Sequence, residues 1–129
     1  MNISIRSVPN EEIKLRHGFT GADWWFDGWG HLEVRVALEL TDWRERACLI
    51  VHEVTEAIMC QHLGITVAQV DDYDAKWEAE HPGDSSTDVG DIDDCPYRVP
   101  HNYATAIERI LAGVLGVSWR EYDDRLGKI

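Results

Sequence analysis

The sequence has few basic residues and no long hydrophobic run. Its 129 residues include 12 Lys and Arg against 24 Asp and Glu, which gives a formal net charge of −12. Because like charges repel, we expect no nucleic-acid partner. No segment approaches the roughly 20 apolar residues that span a bilayer, and the charges of Arg6 and Glu11 are unlike a signal peptide. We therefore expect neither a membrane-spanning helix nor a secretory leader.

Cysteine is scarce as well. The chain has three, Cys48, Cys60 and Cys95, and the first two fall within one predicted helix, too far apart to form a disulfide bond. An odd number of widely spaced cysteines indicates free thiols in a reducing compartment. We expect a cytoplasmic protein whose cysteines are buried apolar residues.

The abundant residues indicate a folded domain. Hydrophobic residues make up 44% of the chain, and six are Trp, which is unlike a disordered segment. A chain of this length is expected to have one core, so residues 1–129 are predicted to form a single α+β domain. Its expected parts are strands and a Trp-rich hairpin (1–40), a central helix (41–64), an acidic loop region (65–99) and a C-terminal helix (100–129).

Alternating apolar residues predict a small antiparallel sheet in the first part. Residues 2–8 and 12–16 alternate on either side of a turn, and residues 31–38 alternate most clearly. Residues 18–30 hold three Trp among glycines and aspartates. We expect them to form an aromatic-rich hairpin loop.

The longest predicted helix covers residues 42–62. Asp42 followed by Glu45 is typical of a capping box, and Gly64 is typical of a helix end. The predicted apolar stripe consists of Ala47, Ile50, Val51, Val54 and Ile58. The other side is also partly apolar, so we expect the helix to be enclosed with its His and Glu residues partly buried.

Shorter helices are expected in the second half. Residues 70–80 favour a short helix and residues 82–96 a loop. A final helix is predicted from about residue 100, with a further helical piece from residue 118.

The central helix carries a motif of metal-site type. His52 and Glu56 are four residues apart, so on a helix they share one face and could bind one ion. Glu53 projects beside them, where it could take a proton from a metal-bound water. This is the HExxH arrangement of zinc hydrolases with Glu in place of the second His.

A catalytic zinc site needs a third protein ligand and an open position for water. His101 is the first candidate, since a loop leads to it at the start of the last helix. His81 is the second candidate, and Asp91 or Asp93 the third. His62 is ten residues after His52, about 15 Å along a continuous helix, and is therefore disfavoured.

Two observations leave the motif open to other interpretations. His52, Glu53 and Glu56 could also form an ordinary polar helix face, because HExxE is a short pattern. Glu108 lies two turns after His101 on the same face. It could support a ligand, be a ligand itself, or be an exposed Glu.

An alternating strand followed by a helix with His52, Glu53 and Glu56 resembles the minimal core of the zincin metallopeptidases. The resemblance covers residues 30–63 and implies that His52 is a ligand, Glu53 the general base and Glu56 the replacement for the second His. It further implies a zinc-dependent hydrolase with a peptide or protein substrate. The carboxylate ligand also suits manganese or iron. The compact chain is similar, too, to small proteins encoded in bacteriophage genomes.

Two alternatives differ in function. If the last helix packs on the central one, the same His and Glu residues resemble the sites of all-α nucleotide pyrophosphohydrolases, which favours a phosphate substrate such as a nucleotide. A paired N-terminal sheet would favour the zincin interpretation over this one. The other alternative is a non-catalytic acidic interaction protein that binds a basic partner through its Trp-rich segment.

Overall fold

A computed structural model describes residues 1–17, 21–84 and 86–129. Within these ranges the chain forms three strands and five α-helices, so the predicted α+β class is confirmed. The elements are β1 (Ile3–Val8), α1 (Asn10–His17), β2 (Ala22–Phe26), β3 (Leu32–Ala37), α2 (Trp43–Leu63), α3 (Val67–Glu80), a short 3-10 helix (Val89–Asp91), α4 (Arg98–Leu115) and α5 (Trp119–Leu126).

The sheet is mixed, with strand order β1-β3-β2. β1 runs parallel to β3, and Ile3 is opposite Leu32. β2 runs antiparallel to β3, and Phe26 is opposite Leu32. The prediction of a wholly antiparallel sheet is therefore wrong for β1. Parallel neighbours cannot be joined by a two-residue turn, and α1 and β2 occupy the connection.

The predicted strand at residues 12–16 is also wrong, because these residues belong to α1. Glu11 and Glu12 lie in the first turn of that helix, where carboxylates are favourable. Ile13 is buried and Leu15 is exposed, so their alternation does not reflect a strand. Of the predicted hairpin loop, residues 18–20 lie outside the described residues, and β2 forms its centre.

α2 begins and ends near the predicted residues. The side chain of Asp42 accepts a hydrogen bond from the backbone N–H of Arg44, and Gly64 ends the helix with φ of 73°. That left-handed conformation favours glycine. The capping box is wrong, since Glu45 is buried and pairs with Arg125 of α5 instead.

The buried face of α2 differs from the predicted stripe. Ile58 is exposed, and Ala47, Ile50, Val51 and Val54 are only half-buried. The buried residues are Glu45, Cys48, Leu49, His52, Glu56, Ala57 and Cys60. The reason is that α2 lies between the sheet and α4, so it is enclosed on two sides, as expected.

The predicted helices of the second half are confirmed with longer bounds. The helix expected at 70–80 begins at Val67, and the helix expected from about residue 100 is α4, which begins at Arg98. The further piece expected from residue 118 is α5. α5 places the fully buried Tyr122 in the core. Among the described residues, no helix has the length and apolarity needed to cross a membrane.

Leu32 gives a test of the core. It is fully buried at the centre of the sheet, so Leu32→Ala is expected to lower the free energy of unfolding by about 2 to 5 kcal/mol. Leu15→Ala is the matched control, since Leu15 is 85% exposed; we expect a change below about 0.5 kcal/mol. Urea denaturation measures both, and equal losses would contradict this placement of the core.

Candidate metal centre

α2 and α4 pack along each other and bring four ionisable side chains together. His52 and Glu56 are one turn apart on α2, and His101 and Glu108 are two turns apart on α4. These four residues are 4% to 7% exposed. Because so little of each side chain reaches solvent, each of the four groups needs a partner.

The carboxylate of Glu56 is at the centre of this group. Its Oε1 accepts a hydrogen bond from the indole Nε1 of Trp24 at 2.9 Å. Its Oε2 lies 3.0 Å from Nδ1 of His101 and 3.3 Å from Nε2 of His52. Two ligands of a tetrahedral ion with bonds of about 2.0 Å are about 3.3 Å apart. His52, Glu56 and His101, which we call the His–Glu cluster, therefore have the spacing of ligands to one ion.

In each imidazole we call the ring nitrogen that faces Glu56 the inner nitrogen and the other one the outer nitrogen. A carboxylate lies at the outer nitrogen of each ring. Nδ1 of His52 is 2.8 Å from Glu108, whose other oxygen accepts a hydrogen bond from the hydroxyl of Tyr122 at 2.5 Å. Nε2 of His101 is 3.1 Å from Asp88. A carboxylate that accepts the outer N–H of a ligating His fixes its tautomer and raises its basicity. With the outer nitrogens engaged in this way, the inner nitrogens are left to bind a metal in the space beside Glu56.

When both imidazoles are protonated, the ring nitrogen of each that faces Glu56 shares its proton with the carboxylate of Glu56. Burial alone would lower the pKa of His52, but hydrogen bonds with Glu108 and Glu56 raise it to about 11. Bonds with Asp88 and Glu56 likewise outweigh burial and raise the pKa of His101 to about 10. Burial would raise the pKa of Glu56, yet the two imidazoles hold it at about 2. A divalent ion replacing the two inner protons would leave the net charge unchanged.

Glu53 lies beside the cluster and is half-buried. Burial, followed by repulsion from the carboxylate of Glu56, raises the pKa of Glu53 well above its usual value. It forms no hydrogen bond with any residue that the structure describes. A general base is most effective when its pKa is near the working pH. The raised pKa of Glu53 is a shift in the direction that favours such a role.

The backbone before α4 lies against the ring of His101. Asp88 accepts a hydrogen bond from the N–H of Gly90 at 3.2 Å. A Cβ added to Gly90 would lie 2.4 Å from Cγ of His101, well inside van der Waals contact. Glycine is thus needed here for close approach rather than for an unusual φ.

Two histidines that sequence analysis considered lie outside the cluster. The ring of His81 stacks on Trp77 with a centroid distance of 4.3 Å, and its Nδ1 is 3.0 Å from the carbonyl oxygen of Trp77. His62 is exposed in the last turn of α2. Asp93 is also exposed and pairs with Arg98. Of the two His candidates for the third ligand, the structure brings His101 to His52 and Glu56.

A second group of potential ligands shares His101. Asp88 and Asp91 lie 3.1 Å and 3.6 Å from its Nε2, on the side away from Glu56. Both aspartates are more than half exposed. The two groups use opposite nitrogens of one imidazole, and the His–Glu cluster is the buried one.

Some residues of the centre escape sequence reasoning. Glu108 has a signal, because it is seven residues from His101 on one helix. No sequence signal identifies the other four residues, because their contacts with the centre join different elements of the fold. These are Trp24, Asp88, Gly90 and Tyr122.

No protein-family profile, curated protein or solved structure matches this chain. The similarity to zincins therefore rests on the motif of His52, Glu53 and Glu56. Function must be inferred from the geometry of the centre.

Gly90→Ala tests the close approach to His101. The added methyl group must displace the ring or the loop, so we expect a loss of about 1 to 3 kcal/mol in the free energy of unfolding. NMR signals of the His101 ring should shift as well. Gly28→Ala is the control because nothing lies within 4 Å of a Cβ there. An unchanged His101 signal in Gly90→Ala would contradict this contact.

Proposed function

We propose that the protein is a metal-dependent hydrolase in which His52, Glu56 and His101 bind one divalent ion and Glu53 is the general base. The observation that carries this proposal is the convergence of three buried ligand atoms, with a carboxylate at the outer nitrogen of each imidazole. A purely structural polar face would not require both features.

The proposed ligand set suits catalysis. Two His and one Glu give three protein ligands, and catalytic zinc sites keep a fourth position for water. A metal held there would lower the pKa of such a water from about 15.7 to about 7. Glu53 would be the residue that accepts the proton and returns it to the leaving group. Zinc fits this set best, and the carboxylate ligand also admits manganese or iron.

A peptide or amide is the substrate class that the surroundings favour. β2 is at an edge of the sheet and carries Trp24, whose indole contacts Glu56. An extended peptide can pair with an edge strand through main-chain hydrogen bonds. Paired along β2, a peptide would lie next to the centre, which agrees with the similarity of the motif to metallopeptidases.

Phosphate-ester hydrolysis is the second candidate. The packing of α2 on α4 is what the alternative of an all-α phosphohydrolase predicts, and Glu108, Asp88 and Asp91 make the surroundings rich in carboxylate. Such surroundings favour manganese or magnesium and a nucleotide substrate. The paired sheet supports the peptide interpretation instead, so we place it first.

Metal content tests the ligand set. Protein purified without a His tag is expected to contain, or to take up, one zinc, manganese or iron ion per chain by elemental analysis. His52→Ala, Glu56→Ala and His101→Ala should each lose it, since each removes one of three ligands.

His62→Ala and His81→Ala are the matched controls, because both remove an imidazole outside the cluster. They should retain the ion, and circular dichroism should show that all five variants are folded. Wild-type protein that stays empty after exposure to these three metals and to magnesium would overturn both enzyme proposals. An acidic interaction protein would then be the remaining interpretation.

Glu53→Gln tests catalysis separately from metal binding. The amide keeps the shape of the side chain but cannot accept a proton, so hydrolysis should fall by a factor of about 10² to 10⁴ with metal content unchanged. Release of amine from a mixed peptide pool and release of phosphate from a nucleoside triphosphate are the two assays.

Glu78→Gln is the control, since it makes the same change on α3 outside the cluster. Equal turnover in Glu53→Gln and wild type would contradict the role of Glu53. Metal-loaded protein that hydrolyses neither substrate class would contradict the hydrolase proposal and leave the metal site standing.

A further inference from the structure

The outer side of α4 is apolar and open to solvent. Its inner side carries His101 and Glu108, but its outer side consists mainly of large apolar residues. These are Val99, Tyr103, Ile107, Ile110 and Val114, which are 41% to 78% exposed. We call this set the outer face of α4. Its last four residues are spaced four, three and four apart, which is the spacing of a helix–helix contact.

This surface is also free of acidic residues in a strongly acidic protein. Of the 24 Asp and Glu residues in the chain, only Glu108 lies between Cys95 and Arg120. Glu108 is buried and faces His52. The guanidinium of Arg109, the one Lys or Arg between Val99 and Val117, lies 4.7 Å from the ring centre of Trp119. Two copies of a chain with net charge −12 can approach most easily through such a surface.

The outer face is close to the size that a dimer contact requires. Its five apolar side chains expose on the order of 500 Å², near the upper end of the patches found on monomers. With the exposed neighbours Asn102, Ala106 and Gly113, it approaches the roughly 800 Å² per partner of a standard interface. The small side chains of Ala106 and Gly113 allow two helices to approach closely.

We propose that the outer face of α4 binds the same face of a second copy, with the two α4 helices antiparallel. A two-fold axis between Ile107 and Ile110 places Tyr103 of one protomer against Val114 of the partner subunit. Tyr103, the largest side chain of the outer face, then packs against the end of the other α4 helix, where the partner's Gly113 leaves space. A symmetric contact of this kind closes on itself and forms a dimer rather than a filament.

Sedimentation equilibrium tests the proposal. Wild-type protein is expected to have twice the chain mass at micromolar concentrations, and association should strengthen with salt, which screens the repulsion between acidic copies. Ile110→Glu should raise the dissociation constant by on the order of 100-fold or more, because each dimer would bury two unpaired carboxylates.

Leu15→Glu is the matched control, since it makes the same change at an exposed residue on α1. It should remain dimeric, and both variants should keep the circular dichroism spectrum of wild type. A monomeric wild type would overturn the proposal. This holds even if the monomer binds lipid vesicles, since the outer face would then contact a lipid surface and not a second copy. A dimer that persists in folded Ile110→Glu would overturn it as well.

Engineered cysteines determine the direction of the helices. The three natural cysteines are buried, so oxidation should report the introduced thiols. Tyr103→Cys/Val114→Cys should form a covalent dimer, and neither single variant should do so. Cross-linking of the single variants would indicate parallel helices and contradict the antiparallel arrangement.

Discussion

The buried carboxylate of Glu56 is the constraint on which the rest of the structure depends. A charged group in a closed space is costly unless hydrogen bonds and opposite charges surround it. Glu56 obtains these from three parts of the fold: Trp24 of the sheet, His52 of its own helix and His101 of α4. Satisfying this one group therefore fixes the sheet, α2 and α4 relative to one another.

The same reasoning explains why the predicted apolar stripe of α2 was wrong. A periodicity argument assigns polar residues to solvent and apolar residues to the core. On α2 the polar residues His52 and Glu56 are buried because they satisfy each other, while Ile58 is exposed. Where a protein encloses an ionic cluster, the sequence pattern of one helix no longer tells which of its sides is inside.

The sequence predicts local features of this fold better than its long-range ones. Asp42 and Gly64 bound α2 through hydrogen bonds and dihedral angles of the chain nearby, and both positions are predictable. The His52–Glu56 pair follows from helical spacing, and the sequence favours His101 as the third ligand. The parallel pairing of β1 with β3 and the approach of Gly90 to His101 depend on distant chain segments, and no local pattern encodes them.

The proposed reaction needs one carboxylate that the fold does not use. Glu56 is bonded to Trp24 and the imidazoles, and Glu108 is bonded to His52 and Tyr122. Both are acceptors in a closed network, and a proton added to either would break a bond within it. Glu53 differs, since it is half-buried, its pKa is raised, and within the described chain it accepts no hydrogen bond. A side chain in that position can gain and lose a proton without disturbing the contacts that join α2 to α4. This separation, between carboxylates that hold the centre and one outside its hydrogen bonds, supports the proposal of catalysis over that of a structural ion.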